Sequence, residues 1–303
     1  MAWYSPFLKE RIFLARDLSQ AEIRILAQFS LDKLLIQQLC SGEDIHALVA
    51  QAILGWAFEK VKKDKKARTI AKQIHFGIVY GLQPKQIYAR CKALGIDVTL
   101  SEIEDAHKKY FRTYKGVRDW REATIEQVRE TGQVSTLFGH VRQLRVLGAE
   151  SGYDDFDKRG AYWGNQSINS PIQGSAAEYL ILAVALIDEH KDRYQILLDS
   201  ICNEIHDRLD FTPRLRDLEE TDEVLQSLLE KDCVKECEAR FGVKMLVPFK
   251  SEASAGFRWG TLVDYDRESQ SLGQLLASWV EKNDKITESF KKDPLSFSSV
   301  TKS

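Results

Sequence analysis

Four side chains recur every four residues in the segment RTIAKQIHFGIVYG: Arg68, Lys72, Phe76 and Tyr80. At about 100° per residue this interval drifts only about 40° per step, so the four line one helix face in steps of about 6 Å. Ile70, Ile74 and Ile78 repeat at the same interval on the opposite face, which can bury. The polar face reads cation, cation, aromatic, aromatic. That order suits a nucleoside triphosphate lying along the helix, with Arg68 and Lys72 gripping phosphates through charge-assisted hydrogen bonds. Phe76 would then give sugar and base a flat apolar surface. Periodicity alone equally allows cations extended into water and aromatics packed in a core.

Two aspartates could supply the other half of such chemistry. Asp17 follows RIFLA, a short apolar strand pattern at Arg11–Ala15, and Asp207 sits in the turn between ILLDSICNEI and RLDF. If the strands are neighbours, the carboxylates converge. Phosphoryl transfer uses such a pair with two divalent cations about 4 Å apart, and Mg²⁺ needs only one or two carboxylates beside substrate phosphates. Each aspartate taken alone also fits a solvated turn.

The elements that must position these groups are legible in outline. Ser19 and Glu22 have capping-box spacing ahead of the stripe Ile23, Leu26, Ala27. Asp44 is expected to cap IHALVAQAIL, which Gly55 stops. A helix capped by Ser101 is expected to run to Glu130, followed by Thr131-Gly132, an extended VSTLFG and an acidic, glycine-containing loop over Gly148–Gly160. A long helix is expected over Gln173–His190, then the strand–turn–strand around Asp207, a charged helix over Asp217–Phe241 and a last strand at KMLVPFK. SLGQLLASWVEKN has amphipathic spacing and suits either a partner-binding helix or a loose end, and SFSSVTKS reads as disordered. Few, separated strands around a helical middle predict an α+β fold: a small antiparallel sheet from both chain ends with a large helical insertion.

Composition sets the class. The chain has 303 residues, 44% hydrophobic and 29% charged, which excludes fibrous and wholly disordered chains. The longest apolar run, Tyr179–Ile187, is too short to cross a bilayer, which takes about 20 residues, so no membrane partner is expected. No secretory signal pattern opens the sequence. Lys and Arg total 43 against 45 Asp and Glu, a net charge of −2, so any surface for nucleic acid must be local. The lysines at 60, 62, 63, 65 and 66 form a solvated charged loop or face template phosphates. The five cysteines, an odd number without a Cys-x-x-Cys pair, suit a reducing, cytoplasmic setting. Cys233 and Cys237 can share a helix face as half-buried thiols, a plainer reading than a metal site.

DLSQAEIRILAQFS, RTIAKQIHFGIVYG and EIHDRLDF stand in the order and approximate spacing of the three polymerase motifs of family A, the bacterial DNA polymerase I type. GEDIHALVAQAILG, VSTLFG and INSPIQGSAAE are similar to that family too, so the resemblance covers about residues 11–260. It implies a palm (residues 1–30 and 169–260), fingers (residues 31–168) and a tail of unknown role (residues 261–303), with thumb and exonuclease domains absent. It implies template-directed addition of deoxynucleotides to a primer 3′ end by two-metal nucleotidyl transfer, with Mg²⁺, or Mn²⁺ in its place, as cofactor. Primer-template DNA and deoxynucleoside triphosphates would be the partners.

The resemblance also assigns roles. Asp17 and Asp207 would bind metal, with the Leu18 carbonyl as an extra ligand. Arg68, Lys72 and His46 would hold the triphosphate, Lys72 as a catalytic group. Phe76 would pack on sugar and base, Tyr80 would fill the insertion site, and Glu22 would be the steric gate against a ribose 2′-hydroxyl. Asn169, Gln173 and His206 would follow the primer terminus and minor groove. Glu22 and Gln173 have plainer readings as first-turn polar residues.

Three departures accompany the resemblance. Arg208 stands where the family usually has Glu, beside Asp207, and a cation there should weaken metal binding. His140 replaces a common Arg. The family's thumb and exonuclease normally precede the first motif, which here lies near the chain start. The expectation is therefore one half of a split polymerase, of phage origin and working in the host bacterial cytoplasm, completed by a second chain carrying thumb and exonuclease. A degenerate subunit that only binds DNA or a partner is the alternative, motivated by Arg208. A single-subunit RNA polymerase is the other, against which Glu22 and Phe76 speak.

Overall fold

The computed structural model describes residues 11–55, 57–144 and 160–282. The chain divides into two compact units: residues 1–19, 179–236 and 249–303 form one, residues 20–178 and 237–248 the other.

The first unit is built on a five-stranded sheet from both ends of the chain, as the alternating fragments predict. Its strands are β1 (Phe13–Leu18), β4 (Ile201–Ile205), β5 (Arg208–Phe211), β6 (Ser251–Gly256) and β7 (Val263–Tyr265), in the order β4-β5-β1-β6-β7. Every pairing is antiparallel, with β1 central. Leu14 opposite Phe211 and Ala255, and Arg16 opposite Leu209 and Ala253, share one face. Leu14, Leu209 and Phe211 are fully buried there, each contributing about 1.5–3 kcal/mol of burial. Arg16 is buried among them because Asp222 on helix α11 (Leu218–Ser227) meets its guanidinium with two hydrogen bonds, 2.9 and 3.0 Å. Arg267 donates a third to the same carboxylate at 2.9 Å.

Several boundaries differ from expectation. β1 extends through Asp17 to Leu18, so Asp17 is a strand residue. The stretch before Asp207 is split: Gln195–Leu198 (α10) is one helical turn and only Ile201–Ile205 pairs. KMLVPFK is not a strand; Val247 and Phe249 are buried without ladder bonds, and Phe249 stacks on Tyr179 at 4.5 Å. The strand that follows, SEASAG, lacks an apolar alternation and was invisible for that reason. After α11 the charged helix passes through one π-helical turn, Leu228–Asp232, into α12 (Cys233–Phe241). Cys233 and Cys237 are fully buried in it rather than half buried. The amphipathic segment forms α13 (Leu272–Lys282), whose Trp279 packs edge-on against Phe257 at 5.3 Å. A Cβ on Gly256 would lie 2.5 Å from that indole, so only glycine lets β6 and α13 approach this closely. The apolar face of α13 is thus covered by its own sheet.

The second unit is helical: α1 (Ala21–Ser30), α2 (Lys33–Cys40), α3 (Ile45–Leu54), α4 (Phe58–Lys63), α5 (Lys65–Val79), α6 (Pro84–Ala93), α7 (Leu100–Thr113) and α8 (Lys115–Thr131), with a small hairpin of β2 (Gln133–Ser135) and β3 (Val141–Gln143). Asp44 caps α3, accepting from His46 N and Ala47 N, and Gly55 ends it, as expected. The expected helix from Ser101 to Glu130 is two helices, broken at Tyr114. Its cap is Thr99, in a reciprocal capping box with Glu102, not Ser101. The acidic loop before Gly160 and the final SFSSVTKS lie outside the described residues.

Helix α9 runs over Gly160–Glu189, starting earlier than the expected Gln173. Over Gly164–Glu189 it is the one helix among the described residues long and apolar enough to cross a bilayer. Ile168, Ile172, Leu180, Ala183 and Leu186 along it are buried within the protein, the pattern of a core helix.

Candidate active site

In the first unit the two aspartates are neighbours along the backbone ladder, Asp17 on β1 and Asp207 in the turn between β4 and β5. Asp17 pairs in register with Arg208 on β5 and with Glu252 on β6. One rung further, the Leu18 N–H donates to the Asp207 carbonyl at 2.9 Å. Asp207 therefore stands diagonally from Asp17, at the mouth of the two-residue turn between β4 and β5. His206 makes that turn in the left-handed region, φ 56°, and is exposed. A bulky residue there stores about 1 kcal/mol or more of strain, which the ladder on either side holds in place.

The donors in this corner are oxygens: two carboxylates and main-chain carbonyls. That set suits a hard divalent cation. Among the described residues no three His, Cys, Asp or Glu side chains are grouped so that they could hold a metal ion, so a cation bound here would need further ligands from water or substrate, the coordination that Mg²⁺ favours.

Arg208 and Glu252 flank Asp17 on the same face. Arg208 lies 2.8 Å from Asp210 through Nε, off the hydrogen-bond line, and donates from Nη2 to Asp210 Oδ2 at 3.1 Å. Glu252 accepts from the Ser19 hydroxyl at 2.9 Å. This replaces the expected capping box. Helix α1 has Gln20 as its N-cap residue, in the left-handed region and without a side-chain cap bond, so Glu22 is released from that task.

In the second unit α5 carries the expected face. Ile70, Ile74 and Ile78 are buried, while Arg68 and Lys72 are exposed. Arg68 Nε is 2.6 Å from Asp44 Oδ2, so the carboxylate that caps α3 also orients the first cation. Lys72 Nζ lies 5.6 Å from the centre of the Phe76 ring. Phe76 and Tyr80 stack at 5.9 Å and 21°, a continuous aromatic surface. Tyr80 stands just past α5, and its hydroxyl donates to Glu22 Oε1 at 3.0 Å.

His46 packs against Phe76 at 5.5 Å and against the fully buried His75 at 5.8 Å. Burial, reinforced by Lys72 and Arg68 and opposed by Asp44, lowers its pKa to about 4. His46 is therefore neutral near pH 7 and adds no charge to the cationic face of α5. On α9, Asn169 donates to Gln173 Oε1 at 3.1 Å, leaving the half-buried Asn169 and the exposed Gln173 as one polar pair.

The structure thus brings together Asp17, Leu18, His206 and Asp207 in one unit. In the other it brings together Glu22, His46, Arg68, Lys72, Phe76 and Tyr80, with Asn169 and Gln173 paired on α9. Three features were not predicted from the sequence: Glu252, the Asp44–Arg68 ion pair, and the pairing of Arg208 with Asp210, an acid whose nearness to Arg208 was visible. The last had a signal, since residues two apart on a strand share a face. Glu252 had none, because β6 itself was not recognised.

The profile of DNA polymerase family A matches residues 4–261. DNA polymerase I of Aquifex aeolicus is 28% identical over 251 residues, 82% of this chain and 39% of that protein. DNA polymerase I of Rhizobium leguminosarum is 30% identical over 253 residues, 81% of this chain and 22% of that protein. The DNA polymerase of Bacillus phage SP01 is 34% identical over 194 residues, 64% of this chain and 20% of that protein. Among solved structures, the polymerase domain of Pol1 from M. smegmatis, in complex with DNA primer-template and dNTP, superposes with a TM-score of 0.68 at 26% identity, covering 84% of this chain and 41% of that one. The chain spans about two-fifths or less of the length of these relatives. On the strength of these matches and of the mixed helix–sheet architecture, the chain belongs to DNA polymerase family A.

Proposed function

We propose that this chain is the palm (residues 1–30 and 169–260) and fingers (residues 31–168) portion of a template-directed DNA polymerase. The observation that supports it most is the Leu18–Asp207 main-chain hydrogen bond, by which the turn that carries Asp207 adjoins the strand that carries Asp17. The primer 3′-oxygen attacks the α-phosphate of a deoxynucleoside triphosphate. The new P–O bond forms as the α–β bridge breaks, pyrophosphate leaves with the released electron pair, and the hydroxyl proton passes to solvent. Asp17 and Asp207, with the Leu18 carbonyl, are the residues that would hold the divalent cations. When bound, Mg²⁺ or Mn²⁺ lowers the pKa of the attacking hydroxyl and offsets charge on the leaving group. Arg68 and Lys72 bind the triphosphate, Phe76 and Tyr80 bracket sugar and base, and Glu22 excludes a 2′-hydroxyl. Asn169, Gln173 and His206 contact the primer-template.

The M. smegmatis domain is bound to primer-template and dNTP, and the same ligand classes are proposed here. A net charge of −2 gives the chain no overall electrostatic attraction for duplex DNA, whose affinity comes largely from phosphate contacts. The proposal therefore includes a second chain carrying thumb and exonuclease, and action in the bacterial cytoplasm. Primer extension with Mg²⁺ or Mn²⁺, with and without co-purifying chains, tests it: deoxynucleotide incorporation in preference to ribonucleotide is expected. A non-catalytic subunit is the second reading, favoured by Arg208 opposite Asp17; no incorporation under any of these conditions would establish it.

A further inference from the structure

Arg208 occupies the position from which a cation can most damage the proposed metal site. It is the direct cross-strand partner of Asp17, and such partners share a sheet face with their Cβ atoms about 4.5–5.5 Å apart. Its side chain is nevertheless engaged elsewhere. The guanidinium runs along its own strand to Asp210, 2.8 Å through Nε and 3.1 Å through Nη2. Asp210 is almost fully buried, 2% exposed at the side chain, and sits opposite Ala15. The Trp259 indole N–H donates to the same carboxylate at 2.6 Å, and the guanidinium centre lies 5.6 Å from the indole ring. One buried carboxylate is thus fixed by an indole and in turn fixes the guanidinium.

We infer that Asp210, steadied by Trp259, is a positioning residue that retains Arg208 so that Asp17 and Asp207 keep their affinity for divalent cations. The inference rests on the proposed metal-binding role of those two aspartates. Sequence adjacency makes Arg208 look like a defect; its pairing makes it a neutralised charge. Removing the Asp210 carboxylate leaves a cation with no acid on its own strand and with Asp17 directly across the ladder. The Arg208 side chain is 27% exposed.

The test is a Mn²⁺ titration of the full chain, free Mn²⁺ being read by electron paramagnetic resonance, with folding followed by circular dichroism. Asp210→Asn, which keeps an acceptor for Trp259, is expected to weaken Mn²⁺ binding about tenfold, the effect of one released charge at partly screened distance. The double variant Arg208→Gln with Asp210→Asn is expected to bind Mn²⁺ as the wild type does, which loss of fold alone would not produce. Trp259→Phe loosens the carboxylate without removing it and is expected to shift affinity in the same direction by less, so the direction is readable even if Asp210→Asn fails to fold. Unchanged Mn²⁺ binding in folded Asp210→Asn, while Asp17→Asn and Asp207→Asn abolish it, overturns the inference and leaves the metal site standing. Mn²⁺ binding that survives Asp17→Asn and Asp207→Asn overturns the metal site, and the inference with it.

Discussion

The Tyr80 hydroxyl donates to Glu22 at 3.0 Å, joining the end of the cationic helix to the start of α1. Glu22 is therefore neither a cap nor a loose acid. Its carboxylate is held by a phenol whose ring also stacks on Phe76, so the position of Glu22 is tied to the aromatic face at the end of α5.

Glu22→Ala is expected to relax selection against ribonucleotides, and Tyr80→Phe to relax it less. The phenol contributes one hydrogen bond to a charged group, about 1.5–3 kcal/mol, so Tyr80→Phe should lower the discrimination ratio on the order of tenfold. Incorporation of matched deoxy- and ribonucleotides on one primer-template measures it. Unaltered ratios in both variants would remove Glu22 from the gate.

Arg68→Ala is expected to raise the KM for the incoming triphosphate with little change in stability, because its ion pair with Asp44 is half exposed and such pairs contribute about 0–1 kcal/mol. Asp44→Ala differs. It removes the cap of α3 as well, costing about 1 kcal/mol, and frees Arg68. Paired unfolding and nucleotide-titration curves separate the two effects.

The cationic and aromatic face of α5 was fully legible, because a helix writes its faces at a fixed period and Ile70, Ile74 and Ile78 mark the buried side. The sheet was legible in outline from RIFLA and RLDF. Other features depended on partners distant in sequence. Ser19 and Glu22 have capping-box spacing, yet Ser19 bonds Glu252 and Glu22 bonds Tyr80. Strand SEASAG ends in glycine because the Trp279 indole lies against Gly256, where a Cβ would not fit. KMLVPFK misled because apolar composition reports burial, not pairing.

Stability should fall in acid. Unfolded histidine binds a proton near pH 6.5, whereas folded His46 and His107 resist until about 4, chiefly through burial. The unfolded chain thus holds more protons in this window, and stability declines as pH drops from 6.5 to about 4. His46 accounts for at most roughly 3 kcal/mol of that loss. Urea unfolding of wild type and His46→Asn across this range checks it: the variant should show a shallower decline.

Asp222 accepts from both Arg16 and Arg267 while fully buried. Asp222→Ala leaves Arg16 charged inside the sheet layer and is expected to cost about 3–5 kcal/mol. Arg267→Ala, at the rim, should cost far less. Chemical denaturation orders the two.

The most direct measurement is single-turnover incorporation of one deoxynucleotide by the chain alone and with any chain that co-purifies with it, in Mg²⁺ and in Mn²⁺. Wild type should incorporate, and Asp17→Asn and Asp207→Asn should each lose on the order of a thousandfold or more, while staying folded. Incorporation that persists in both variants would contradict nucleotidyl transfer at these aspartates.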